Sequence, residues 1–387
     1  MNSRQTLDLD NHFALRQFSS AIYDSQTQAV NTVELGLQIL ETGDFQQRWE
    51  VAKLFPKLGT QIIDPLLNIL KNEAINLDCR WFICRILGEF NDTRVILALV
   101  NLLQTTEAEE LSTIAAETLG KIGINTIDSL EQLLTNNHHK LLAVKALGQI
   151  RHSETILPLL RVVDDPDSNI RAIAIESLGS FHQADLMPLF INSLKDPVAV
   201  VRKEAIITLG MQPEFKEEFE VVEQLTPLLW DLNLEVSQQA ALALGRIKDP
   251  VAIEALVTRL QSTFTPISLK QEIIKALNWI GNTQGLDALK QFLWQQEESL
   301  EIVQTIIILL GDQTTATLKK QATQILIDFL KLEKTIIKEK QIKQVIAASL
   351  GELGQAIAIN ALNILVKDSE KTVQLHAIAA LKKISAP

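Results

Sequence analysis

The chain has 387 residues, 47% hydrophobic and only 5% aromatic, with 36 Lys and Arg against 47 Asp and Glu for a formal net charge of −11. That balance disfavours a nucleic-acid binder, which needs a basic stripe. Two cysteines support neither a disulfide framework nor a zinc site, and 15 glycines with 11 prolines are too few for a linker-rich or disordered chain.

The N-terminus, residues 1–13, has no basic segment followed by an apolar one, so no signal peptide is expected. No apolar run approaches a membrane span; the longest lies around Thr305 and Leu310. A cytoplasmic protein without membrane insertion is the expectation. Residues 31–40 read as a helix, and 1–44 as an N-terminal helical cap for the open end of a repeat array. From residue 45 the chain repeats one phrase, close to A-x-x-x-L-G. It closes at Leu58-Gly59, Leu87-Gly88, Leu119-Gly120, Leu147-Gly148, Leu178-Gly179, Leu209-Gly210, Leu244-Gly245, Ile280-Gly281, Leu310-Gly311 and Leu350-Gly351, and without glycine at Leu381-Lys382. Successive spacings are 29, 32, 28, 31, 31, 35, 36, 30, 40 and 31 residues. Self-similarity at such a period predicts a solenoid: an all-α superhelix of about eleven helix pairs over 45–387, in a regular arm (45–210) and a looser arm (211–387).

Residues 155–179 show one unit. Ile156, Leu159, Leu160 and Val163 have helical spacing. Pro166 breaks that helix, Asp167 or Ser168 caps the next, and Gly179 is expected to stop it. Counting back from each closing glycine, position −5 is alanine in seven copies: Ala115, Ala143, Ala174, Ala205, Ala240, Ala276 and Ala377. With Leu or Ile at −1 it lies on one buried arc. Position −8 is basic in five copies, Arg80, Lys140, Arg171, Arg202 and Lys343. A cation on a packed face must be paired, and the aspartates of the preceding turns, such as Asp167 and Asp196, are the expected partners. Cys79 and Cys84 lie about 140° apart on one helix and do not face a common partner.

The phrase D-P-x-x-x-V-R-x-x-A-x-x-x-L-G, carried by Asp196, Pro197, Val201, Arg202, Ala205, Leu209 and Gly210, resembles the HEAT-like repeat of cyanobacterial phycobilisome (bilin) lyase-type proteins over residues 45–384. The resemblance implies a HEAT-like solenoid whose second helices line a concave side. Such repeats specify fold far better than function.

Acidic residues 212–220, residues 261–268 and residues 332–341 stretch three units, and insertions of this kind map to loops. Basic residues gather between Lys331 and Lys343 but Glu333 and Glu339 interleave with them, which reads as a solvated helix end.

On the helical wheel, positions −3, −6 and −7 of each second helix point outward. They carry Trp81, Phe82 and Arg85; Ile114 and Glu117; Leu142 and Lys145; Ile173 and Glu176; and Ile207. Large apolar groups with charges between them mark an interaction surface, so these ten residues are the expected partner-binding strip, with Trp81, Phe82 and Arg85 its anchor. Trp49, Trp230, Trp279 and Trp294 read as packing. His138, His139, His152 and His182 sit at turns, no His-Glu pair occurs, and no nucleotide or hydrolase motif is present. No catalytic, cofactor-binding or metal residue is therefore expected. The leading reading is a non-catalytic adaptor gripping a protein partner along the concave strip, that partner being a phycobiliprotein or photosynthetic component if the resemblance extends to function. The alternatives are a bilin lyase or tetrapyrrole chaperone, and a metal or iron–sulfur delivery factor.

Overall fold

The computed structural model describes residues 15–22, 29–295 and 299–385. The parts of the expected cap at 1–14 and 23–28 lie outside them. The described residues form helices and turns without a strand, and no described helix is long and apolar enough to cross a membrane. The chain divides into two compact units at residues 181 and 182.

Each unit is a run of helix pairs, eleven among the described residues, as the repeat predicts. In the first unit the second helices are Phe45–Leu54, Leu77–Leu87, Glu109–Ile122, Lys140–Ile150 and Ser168–Gly179, each packed on the next. Those of the second unit are Ala199–Gly210, Leu234–Ile247, Ile267–Ile280, Leu300–Gly311, Lys340–Leu353 and Lys371–Ser385, packed likewise. The helix Ala29–Thr42 packs on Phe45–Leu54 as the first member of the first pair. Polar side chains in the turns start many of these helices: Asp44, Asn76, Asp167, Asn233 and Ser299 each accept a backbone N–H of the first turn. All seven alanines that the sequence count places at position −5 are fully buried.

The helices do end at Gly179, Gly210 and Gly311 and are capped at Gly88, but at other copies the closing glycine is not a stop. Gly120, Gly148, Gly245 and Gly351 lie inside their helices, which run on to Ile122, Ile150, Ile247 and Leu353. Only Gly281 is itself a left-handed cap, at φ 67°. Gly88, Gly120, Gly148, Gly210, Gly245, Gly311 and Gly351 are points of close approach. A Cβ on Gly210 would sit 2.7 Å from Ala243 Cβ, on Gly245 2.6 Å from Ala276 Cα, and on Gly351 2.8 Å from Ala380 Cβ. The absent side chain lets one second helix touch the next through a small residue. This contact also corrects the register of one copy. Ala276 faces Gly245, as Ala243 faces Gly210 two residues before its own close-packing position, so that position in the copy is Asn278. It stands 33 residues from both Gly245 and Gly311. The first copy departs further: its helix ends at Leu54, and Leu58 and Gly59 belong to the following 3-10 turn.

The basic ladder forms, with the carboxylate partners of Lys140, Arg202 and Lys343 in the following turn instead of the preceding one, while Arg171 and Arg202 also bind carbonyls of the preceding turn. Lys140 Nζ lies 2.8 Å from Asp165, and Lys343 Nζ 2.6 Å from Asp368. Arg202 grips both oxygens of Asp231 at 2.8 Å and donates to the carbonyls of Asp196 and Pro197. Arg171 donates to the carbonyls of Asp165 and Pro166, and Arg80 to that of Leu70. An uncounted rung precedes them. Arg48, the fourth residue of its helix like Arg80 and Arg202, donates to the carbonyls of Leu40 and Glu41 and approaches Asp78 at 3.7 Å. The cations thus satisfy carbonyls at the end of the first helix or its turn, groups that a helix terminus leaves without partners, and several tie one repeat to the next.

Candidate partner-binding surface

In the first unit two helices carry matching tracks at i, i+4 and i+8, a spacing that keeps side chains on one face: Phe45, Trp49 and Lys53 on one, Leu77, Trp81 and Arg85 on its neighbour. Phe45 and Leu77 are the first residues after the caps Asp44 and Asn76. At that position a side chain leaves the packed face, and Phe45 is 64% exposed. The Phe45 ring stacks near Trp49 at 6.1 Å and meets Phe82 edge-on at 5.3 Å. Arg85 lies 4.6 Å over the Trp49 ring and 5.9 Å from that of Trp81. Phe45, Leu77, Trp81 and Phe82 enclose a pocket of about 300 Å3 with Asp78 and Glu110 at its margin.

The ten expected strip residues divide. Arg85, Glu117, Lys145 and Glu176 are exposed and alternate in sign along four successive helices. Trp81, Leu142, Ile173 and Ile207 are half-buried. Phe82, 1% exposed, and Ile114 are buried, so they are corrected from exposed anchors to parts of the packed layer. Position −6 is borderline, since Leu142 and Ile173 there stay half-buried, and the ring of Phe82 is covered because it fills the aromatic cluster as the floor of its pocket. Lys145, Ile173 and Glu176 come together, lining a groove of about 450 Å3 with Gln149 and Ser177. Ile207 belongs to the second unit.

Two tryptophans read as packing, Trp230 and Trp279, are exposed, while Trp49 and Trp294 are half-buried. Phe45, Leu77 and Trp49 were missed as surface residues. Their signal was available in the i, i+4, i+8 spacing and in an apolar residue directly after a capping Asp or Asn. The basic residues 331–343 are partly occupied: Lys334 donates to the carbonyl of Trp294 at 2.5 Å, and Lys343 pairs with Asp368. His138 is exposed, and its ring lies 6.4 Å from that of His139. Among the described residues no three His, Cys, Asp or Glu side chains gather in a metal-ligating group. Both cysteines are buried free thiols, and burial pushes Cys79 up to about 11 and Cys84 up to about 12.

The sequence matches the family described as HEAT repeats over residues 63–143, 127–210 and 187–268. No curated protein matches it. Among solved structures, Kap95p from its complex with RanGDP aligns at TM-score 0.55 and 14% identity, over 98% of this chain and 57% of Kap95p. An engineered protein aligns at TM-score 0.38 and 18% identity, over 96% of this chain and 99% of its own. Human deoxyhypusine hydroxylase aligns at TM-score 0.30 and 19% identity, over 71% of this chain and 98% of its own.

Proposed function

The chain belongs to the HEAT-repeat family, whose members in general present surfaces to other proteins, and from that premise we propose that it is a non-catalytic adaptor gripping a protein partner on the second helices of its first unit. The observation that carries this reading is the half-open aromatic pocket of Phe45, Leu77, Trp81 and Phe82, flanked by Arg85 stacked over Trp49. Aromatic residues and arginine dominate binding hot spots. A pocket of this size beside them accepts one large apolar side chain of a partner. The alternating charges of Arg85, Glu117, Lys145 and Glu176 would fix the partner's register, since charge complementarity acts on specificity and encounter more than on affinity. Kap95p, whose fold this chain resembles, is itself described as binding RanGDP.

The test uses the full chain as bait in a lysate of its native source, with wild type beside the double variant Trp81→Ala, Arg85→Glu. Both positions reach solvent, so the variant is expected to melt within a few degrees of wild type. A stoichiometric protein held by wild type and lost by the variant supports the reading. Retention of every captured protein by a normally folded variant sinks it. The finer reading, a bilin lyase-type protein acting on phycobiliproteins, has the Asp196-Pro197 phrase as its support, and a visible absorbance band on the purified native protein is its test.

A further inference from the structure

The second unit holds a half-buried arginine, Arg202, and, two repeats further on, a buried one, Arg259, and it treats them differently. Arg202 is fully satisfied by Asp231 and two backbone carbonyls. Arg259, on the helix Ala252–Gln261, is only 9% exposed, yet its guanidinium makes no hydrogen bond or ion pair among the described residues. Its Nε is buried without an acceptor. Desolvation alone holds its pKa below the usual arginine range, with no carboxylate to offset it. The single feature against it is the Trp230 ring, whose centre lies 4.2 Å away. An aromatic face attracts a cation, but it does not use the five N–H donors of a guanidinium. Removing a charge from water is costly unless it is both paired and hydrogen-bonded. Glu223 and Glu254 line the pocket beside Trp230, and no carboxylate offsets the desolvation of Arg259.

Exposed large apolar side chains stand in the turns that adjoin this unpaired cation in sequence and at Trp230. Trp230 is 51% exposed, Leu232 fully exposed and Phe264 86% exposed, with Ile267 also open. Trp230 and Leu232 precede the helix Leu234–Ile247, Phe264 precedes Ile267–Ile280, and those two helices pack along each other. The exposed groups therefore sit on consecutive turns at the same end of neighbouring helices. Large exposed apolar groups gathered at one end of neighbouring helices are candidates for an interaction site.

We propose that this ridge docks a protein segment in which a carboxylate stands beside large apolar side chains, the carboxylate pairing with Arg259 at the margin of the Trp230 ring and the apolar groups covering Leu232 and Phe264. Charge complementarity selects the occupant. A cation lacking its anion calls for an acidic segment, and a planar guanidinium binds a carboxylate through two parallel hydrogen bonds. The site is separate from the surface of the first unit and does not depend on it.

The test pans a displayed library of short random peptides on the immobilised full chain. The enriched peptides should carry Asp or Glu within an apolar stretch. Their binding should fall about tenfold or more on Arg259→Met, the loss expected for one charge-assisted pair, and persist on Trp81→Ala. Exchanging the peptide's own Asp for Asn, or Glu for Gln, should cost the same, which keeps the test valid if Arg259→Met is poorly folded. Failure to enrich any peptide, enrichment of cationic or uncharged peptides, or binding indifferent to both exchanges overturns the proposal.

Discussion

Replacing Gly245 by alanine tests whether the closing glycines are close-packing points. Gly245 lies inside the helix Leu234–Ile247, two residues before its end. Helix propensity alone favours the change, since alanine is better than glycine by about 1 kcal/mol in a helix interior. Packing opposes it. The new Cβ would lie 2.6 Å from Ala276 Cα, 2.9 Å from its Cβ and 3.2 Å from its carbonyl oxygen. Two of these atoms are backbone, so no rotamer relieves the clash. The helix Ile267–Ile280 must retreat by roughly 1 Å to restore ordinary carbon–carbon separation. Overpacking of this kind costs about 1–3 kcal/mol, and the retreating helix is also packed against Leu300–Gly311. The expected net effect is a loss of about 1–2 kcal/mol once the propensity gain is subtracted. Urea unfolding followed by far-UV circular dichroism reads it as a lowered midpoint, the appropriate quantity for a repeat array that need not unfold in one step. Gly354→Ala is the comparison. Nothing lies within 4 Å of a Cβ there, and its φ of 65° makes the cost one of backbone conformation alone. If Gly245→Ala raises the midpoint, propensity governs the position and the close-packing argument is wrong.

Arg202→Ala should cost ~3–5 kcal/mol, because it strands Asp231 and two carbonyls in a mostly buried place; Arg202→Lys should recover part of the loss, as an ammonium cannot bridge both carboxylate oxygens. A midpoint unchanged by Arg202→Ala would remove the ladder's structural role. The N–H of Val251 and the Lys216 ammonium hold Asp249 below the usual carboxylate range, and at Asp165 burial pulls upward but the Lys140 ammonium and the N–H of Asp167 outweigh it. Their stabilisation is complete above the ordinary carboxylate pKa of about 4 and is lost as pH falls through the lowered native values, so melting temperature should drop below pH ~4, and less so in Asp249→Asn. Raised thiols give the opposite sense: Cys79 and Cys84 stabilise the fold below the ordinary thiol pKa near ~8.5 and destabilise it as pH climbs toward their native values. Both should resist a thiol reagent at neutral pH and react together in denaturant, and rapid native labelling of either would contradict their burial.

The sequence determined by itself what depends on period and residue type. A spacing near 31 residues, alanine at −5 in most copies, Leu or Ile at −1 and a polar cap before several second helices are local patterns, and together they permit little but stacked helix pairs. The tertiary structure decided what depends on a neighbour's position. A glycine that ends one helix and a glycine that admits the next look alike in sequence, and only the 2.6 Å approach to Ala276 separates them at Gly245. The ladder's direction was hidden for the same reason, since Lys140 and Asp165 meet across two repeats. The solvent-facing side of these helices was legible to within one residue of helical rotation: Trp81 and Arg85 reach solvent, whereas Phe82 and Ile114 are buried, a step of about 100° round the axis. Arg259 gave no sequence signal, because a missing partner becomes visible only when every neighbour is in place.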